Sequence, residues 1–151
     1  MDTQVAVKAV IQNKDGKFLI VRERERWQAV GGRLDPGEKL EDGLRRETEE
    51  ETGITDLEIG KVIHVDEWFA KPEGELKHIV ALFFLCKTKS NNVKLSEEHQ
   101  EFAWVTIDEL DSYGDILEKE IKQAILFASA WTLGKSKKLP FVLGWLVNFQ
   151  L

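Results

Sequence analysis

The sequence predicts an α+β (α/β) fold, a mixed β-sheet sandwiched between helices, and three observations predict it. Stretches rich in β-branched and aromatic residues, cut by turn residues, run from Val5 to Val30 and again from Leu57 to Val105. A single charged helical stretch interrupts them early, between two loops marked by glycine. A second helical stretch, with an apolar stripe at helical spacing, comes late. Strands divided by one helix and covered by another bury both faces of one sheet.

Each element follows from local chemistry. Val5 to Ile11 is β-branched and reads as a strand. "NKDG", Asn13 to Gly16, is a turn, because Asp-Gly tolerates the positive φ that hairpins require. Lys17 to Arg22 returns as the second strand. Arg22, Arg24 and Arg26 then alternate with Glu23 and Glu25. In an extended chain the three arginines share a face. That face is either a grip for phosphate or carboxylate, or an exposed edge with paired charges. Trp27 to Val30 is short and extended. "DPGE", from Asp35, fits a type II turn with Gly37 at its third position better than an Asp35 N-cap, because Gly37 would weaken a first helical turn. The helix runs from about Lys39 to Thr52, and Gly53 occupies the left-handed C-cap position.

Leu57 to Phe69 and Leu76 to Lys87 form two longer strands around "KPEGE". "HIVALFFLC" is continuously apolar, as in a strand buried on both faces. "KSNN" is loop, and Phe102 to Val105 is a short strand with Trp104 in the core. Thr106 opens a helix, with Glu109 closing a capping box. Asp115 to Leu133 is the late helix. Ile116, Leu117, Ile121, Ala124, Ile125 and Ala128 form its stripe, and Gly134 ends it.

The chain has 151 residues, which suits one domain over 1–151 with a real core. Its formal net charge of −6 argues against a protein that grips nucleic acid polymers, which needs excess Lys and Arg. A local basic pocket for a small phosphorylated ligand is compatible with that balance. Cys86 is the only cysteine, so no intrachain disulfide is possible; this fits a reducing, cytoplasmic setting. The start lacks a basic segment followed by an apolar run, so no secretory signal is expected. "IVALFFLC" and "FVLGWLV" are too short to span a bilayer. The tail "KSKKLPFVLGWLVNFQL" joins a basic patch to an apolar end. It completes the core, forms a homodimer interface or meets a membrane surface.

The chemistry concentrates between Gly31 and Ile54, where eight acidic and four basic residues are packed together. At about 100° per residue, Glu47, Glu50 and Glu51 fall within an arc of roughly 100° beside Leu40 and Leu44, with Glu49 on the opposite side. Half-buried carboxylates at close quarters push at least one pKa upward. A divalent cation removes that cost, and hard oxygen ligands suit Mg²⁺ or Mn²⁺. A solvated acidic face laced with Arg45 and Arg46 is the plainer alternative. The flanks favour the metal: Gly31 and Gly32 let the backbone approach a ligand, and Arg46 adjoins Glu47, where a guanidinium orients a carboxylate.

The spacing Gly32, Glu38, Arg46-Glu47, Glu50-Glu51, Gly53-Ile54 resembles the Nudix box, G-x5-E-x7-R-E-U-x-E-E-x-G-U, where U is aliphatic. Every fixed letter is present. Thr48 stands at an aliphatic position, where a small stability cost is expected. The resemblance implies a Nudix α/β/α sandwich and hydrolysis of a nucleoside diphosphate linked to another moiety. It implies that Glu47, Glu50, Glu51 and the Gly31 carbonyl hold the metal and that Arg46 orients Glu47. Glu38 would sit in the outer metal shell near substrate or brace the loop. Metal ions neutralise phosphate charge and activate water, and a carboxylate takes its proton. In the family the base belongs either to the box or to a later loop. Here "LSEEHQEFAWV" supplies Glu97, Glu98 and Glu101, of which Glu98 is the candidate extra ligand or base unless the loop is simply solvated, and Glu47 is the competing base.

Substrate contacts are less constrained. Arg33 follows the glycine pair and is a phosphate candidate. Trp27 and Trp68 flank the cleft in sequence order and either stack on a base or pack in the core. His64, His78 and His99 lack metal-ligand spacing and read as structural. Val30 replaces the proline common before the glycine pair in many relatives, which leaves the subfamily open. A nucleotide-sensing module that does not cleave, and a domain with an incidental Ca²⁺ site, are the competing classes. The first usually carries a broken box, and this box keeps all its acidic positions.

Overall fold

The structure, a computed structural model, describes residues 1–134. The tail from Lys135 onward, with the reading of its apolar end, lies outside the described residues. Seven strands form one mixed sheet: β1 (Thr3–Gln12), β2 (Phe18–Glu23), β3 (Arg26–Gln28), β4 (Val30–Arg33), β5 (Glu58–Ala70), β6 (Lys77–Lys87) and β7 (Glu101–Val105). Helix α1 spans Leu40–Thr52 and α2 spans Lys119–Gly134. β1 is central and pairs with β6 in parallel along ten residues, and all the other pairings are antiparallel.

The other edge of β1 is shared. Gln12 pairs with Phe18 of β2, whereas Ala6, Val7, Lys8 and Ala9 pair with Arg33, Gly32, Gly31 and Val30 of β4. The sheet therefore splits at β1 into two arms. One carries β4, and the other carries β2, β3 and β7.

Alternation along β1 builds a core on each face. Val7, Ala9 and Ile11 pack with Leu19, Val21, Val30, Phe84 and Leu44 of α1. Ala6 and Val10 pack with Phe18, Ile20, Ala81, Phe83 and Ile121, Ala124, Ile125 and Ala128 of α2. Helices thus cover both faces, as the sequence predicts. β6 alternates fully buried residues with partly buried ones, which explains the continuous apolar run.

The local signals hold in detail. Gly16 (φ 76°) closes the first hairpin. Gly37 (φ 79°) makes the predicted turn, with Glu38 N–H bonded to the Asp35 carbonyl at 3.0 Å. Gly53 caps α1 at φ 72° and donates to the Glu49 carbonyl.

Six expectations need correction. The Thr106 capping box forms, but it opens a 3₁₀ segment over Ile107–Ile116. Gly114 breaks that segment at φ 55°, ψ −139°, so α2 starts at Lys119 and not near Asp115. Leu117 is drawn into a β-bridge with Trp27, which leaves Ile116 47% exposed and outside the stripe. The three arginines do not share one extended face, because Arg24 takes a left-handed turn (φ 55°); Arg22 pairs with Glu101 and Arg26 with Glu118. Trp104 is only partly buried and donates to the Asn91 carbonyl. Leu40 is exposed, and only Leu44 of that pair packs inward.

Candidate active site

The site is built where α1 crosses β4. Gly31 and Gly32 are needed there for space. A Cβ on Gly31 would strike the Val7 carbonyl, and one on Gly32 would lie 2.6 Å from the Glu47 carboxyl carbon. Gly31 also sits at φ 141°, which side chains disfavour. The chain thereby brings α1 close enough for the Gly31 N–H to donate to Glu51 Oε2 at 2.9 Å.

Arg46 organises the other side of α1. Its Nε and Nη2 grip both oxygens of Glu38 at 2.7 and 2.8 Å, a bidentate fork. Its Nη1 reaches Glu47 at 2.9 Å and Glu50 at 3.3 Å. Glu38 also accepts the Asp35 N–H at 3.1 Å, so it braces the loop that leads into the helix. The Arg46 hydrogen bonds and that N–H hold the Glu38 carboxyl down to about 2.

The three box carboxylates occupy different environments. Glu51 is 6% exposed, and burial pushes its carboxyl up to about 8, against the opposing pull of the Gly31 N–H and the charge of Lys8. The Glu47 side chain is 16% exposed, and burial raises its pKa although Arg46 opposes the shift. The Glu50 side chain is 59% exposed. Glu47 and Glu51 thus sit beside the buried stripe as expected, whereas Glu50 is corrected to an exposed position, 3.3 Å from Arg46 Nη1.

The later loop is tied to this helix. Lys94 N–H donates to the Thr52 carbonyl at 2.8 Å and Ser96 N–H to the Glu51 carbonyl at 3.1 Å. Gln100 N–H fixes the far end to the Arg22 carbonyl. The tethered loop places Glu98 where its charge raises both Glu47 and Glu51. Glu101 is instead taken by Arg22 at 3.1 Å, which separates it from the site.

Among the described residues, no three His, Cys, Asp or Glu side chains converge into a finished cation site. The donor set nonetheless suits a hard divalent ion. Glu51 Oε1 takes no hydrogen bond among the described residues, and Glu47 lies against the space left by Gly32.

A NUDIX domain model matches residues 2–126. This chain belongs to the Nudix family. It is a hydrolase of phosphoric anhydride bonds. Nucleoside triphosphatase NudI of Escherichia coli (strain K12 / DH10B) is 32% identical over an alignment covering 75% of this chain and 89% of that protein. The MutT protein from Methanosarcina mazei Go1 superposes with a TM-score of 0.71 at 28% identity, covering 91% of this chain and 97% of that one. A Caenorhabditis elegans Ap4A hydrolase ("C. elegans Ap4A Hydrolase Binary Complex") gives 0.66 at 29% identity, covering 87% and 98%.

Within this Nudix frame, the predicted site residues divide. Gly31, Glu38, Arg46, Glu47, Glu51 and Glu98 gather at one corner, with Glu50 at its rim. Arg33 lies beside them but is exposed, and its guanidinium bonds to Gln4 at 2.9 Å. Trp27 is buried, edge-on to Tyr113 with ring centres 5.3 Å apart, so it belongs to the core and leaves no ring face open for a base. Trp68 is on β5, half-buried against the α2-side core. His64 and His78 pair with Asp66 and Glu67, in keeping with structural roles. His99 is buried with Nδ1 lacking any hydrogen-bond partner. Sequence reasoning missed Lys8. Its signal was available: a single cation inside the apolar strand "VAVKAVI".

Proposed function

We propose that this chain is a Mg²⁺-dependent pyrophosphohydrolase whose substrate is a nucleoside triphosphate or another nucleoside diphosphate derivative, acting as one Nudix domain. The observation that carries the reading is the Glu51 carboxylate. It is buried, pushed up to about 8, and braced by a single backbone N–H in a corner shared with Glu47 and Glu98. An uncompensated acid in such a place is what a cation site looks like before the ion arrives. NudI's name, at 32% identity, supports a triphosphate; the Ap4A hydrolase keeps dinucleoside polyphosphates within the class.

Glu51, Glu47 and, after a side-chain turn from the rim, Glu50 would hold the ion, with the Gly31 carbonyl. Mn²⁺ would fit the same oxygens. Such an ion, when bound, supplies charge neutralisation at phosphate and activation of water. The remaining work falls to the chain. Arg46, locked by Glu38, keeps Glu47 oriented along one direction. Glu98, carried on the tethered loop, is placed to accept the proton from the attacking water, and Glu47 is the competing acceptor.

The test is a panel of nucleoside triphosphates, dinucleoside polyphosphates and nucleoside diphosphate sugars, incubated with and without Mg²⁺, with products resolved by chromatography. The reading expects cleavage at a phosphoric anhydride that stops on chelation. No turnover across the panel, with nucleotide binding retained, would instead favour a sensing module.

A further inference from the structure

We propose that Lys8 is a phosphate-binding residue of this site, gripping a non-bridging oxygen of the substrate's polyphosphate chain. The inference rests on the reading above and extends it to a residue outside the box.

Lys8 interrupts the alternation of the central strand. Its neighbours Ala6, Val7, Ala9 and Val10 are all buried, and Lys8 itself is half-buried. Placing an ammonium there costs desolvation that an ion pair normally offsets. Among the described residues Lys8 makes no ion pair. Its three donors are therefore unspent at the protein's own expense.

Lys8 shares the face of β1 that carries Ala6 and Val10, and the register sets its stem beside Gly31 at the edge of the site. Lys8 is directly opposite Gly31 in the β1–β4 ladder. A Cβ on Gly31 would come within 2.9 Å of Lys8 Cα and 3.0 Å of its Cδ. The lysine stem thus lies across the glycine whose N–H holds Glu51. Glycine at this position admits the stem as well as α1. The ammonium's charge acts on Glu51 from α1, on His99 from the tethered loop and on Glu118 at the start of α2. Its charge reaches Glu51 and Glu118, and among the described residues neither acid pairs with it.

A cation so placed has one fitting partner among nucleotide groups. A phosphate oxygen is anionic, accepts several donors and suits the point charge of an ammonium. The metal carboxylates take the ion, and Lys8 takes the phosphate charge that the ion leaves uncovered.

The experiment uses the full chain as parent, Lys8→Met and Lys8→Arg. Binding of inorganic tripolyphosphate with Mg²⁺ is measured by calorimetry, and KM and kcat are measured on the best triphosphate of the panel. Lys8→Met is expected to weaken tripolyphosphate at least about fivefold and to raise KM by a similar factor, with a smaller change in kcat. Lys8→Arg is expected to recover most of the affinity, which a purely structural role for the stem would not produce. Near-ultraviolet circular dichroism checks the fold, and Lys8→Gln replaces Lys8→Met if the latter fails to fold. A loss smaller than about fivefold in both readouts, in a parent that turns over, overturns the assignment. A parent that turns over nothing, yet loses tripolyphosphate on Lys8→Met, would sink the hydrolase reading and leave the anion site standing.

Discussion

The two ends of the α1 site are built on opposite terms. At the Arg46 end, Glu38, Glu47 and Glu50 share one guanidinium through contacts of 2.7–3.3 Å, so one positive charge is divided among three carboxylates. At the Gly31 end, Glu51 is deeper, has one backbone donor and keeps its carboxyl up near 8. The first end is held in shape by its one cation and still keeps an excess of negative charge. The second has no guanidinium in contact, and its buried acid is the stronger draw for a ligand cation. The lesson is that a crowded acidic helix divides its carboxylates between a brace and a socket.

Removing the socket's acid gives the largest expected effect. Glu51→Gln should lower kcat on the order of 10²–10⁴-fold while circular dichroism stays parental; near-parental turnover would place the chemistry elsewhere. Breaking the brace should cost less. Arg46→Lys loses the fork to Glu38 and should lower kcat/KM about 10–100-fold, a range typical of groups that orient metal ligands. The readout is steady-state kinetics at saturating Mg²⁺, where a weakened metal grip separates from lost orientation.

The contrast also predicts a pH dependence. The Glu51 pKa is raised above its unfolded value, so the folded chain binds the extra proton between about 4.5 and 8. Metal-free stability attributable to this group is therefore full below that window and falls as pH rises through it. An ion that pairs with the ionised form reverses the loss. Mg²⁺ at about 100 times its dissociation constant adds about 2.7 kcal/mol. The increment in melting temperature at fixed Mg²⁺ should be larger at pH 8.5 than at pH 6, because fewer protons must be displaced. An increment independent of pH would remove Glu51 from the ion's ligands. The smallest effect is on the helix's buried flank. Thr48 is fully buried, and its hydroxyl has no hydrogen-bond partner. Thr48→Val should stabilise the fold by about 1 kcal/mol in urea titration, with kcat unchanged.

What could be read in advance depended on range. The Gly37 turn, the Gly53 cap and the box spacing are written within a few residues of where they act, so they were legible. The start of α2 was not, because Gly114 and the pairing of Leu117 with Trp27 join elements that are far apart in sequence. A helical wheel placed Glu50 with Glu47 and Glu51. It carried no information about which of them the loops and β4 would cover. The sequence left Trp27 open between stacking on a base and packing in the core; it is core, bridged to Leu117 just before α2. Lys8 was visible as an oddity in an apolar strand, but its meaning needed the register with Gly31.

The forked edge of β1 has a wider consequence. The corner that carries Gly31, Glu47 and Glu51 hangs from β4 and α1, while β2, β3 and β7 form the facing wall, joined to it through β1, through Ala29 between β3 and β4, and through the loop that carries Glu98. Exchanging β7 together with its leading loop therefore swaps a candidate proton acceptor along with the wall, and recombination meant to alter the wall alone has its cut site between Gln100 and Glu101.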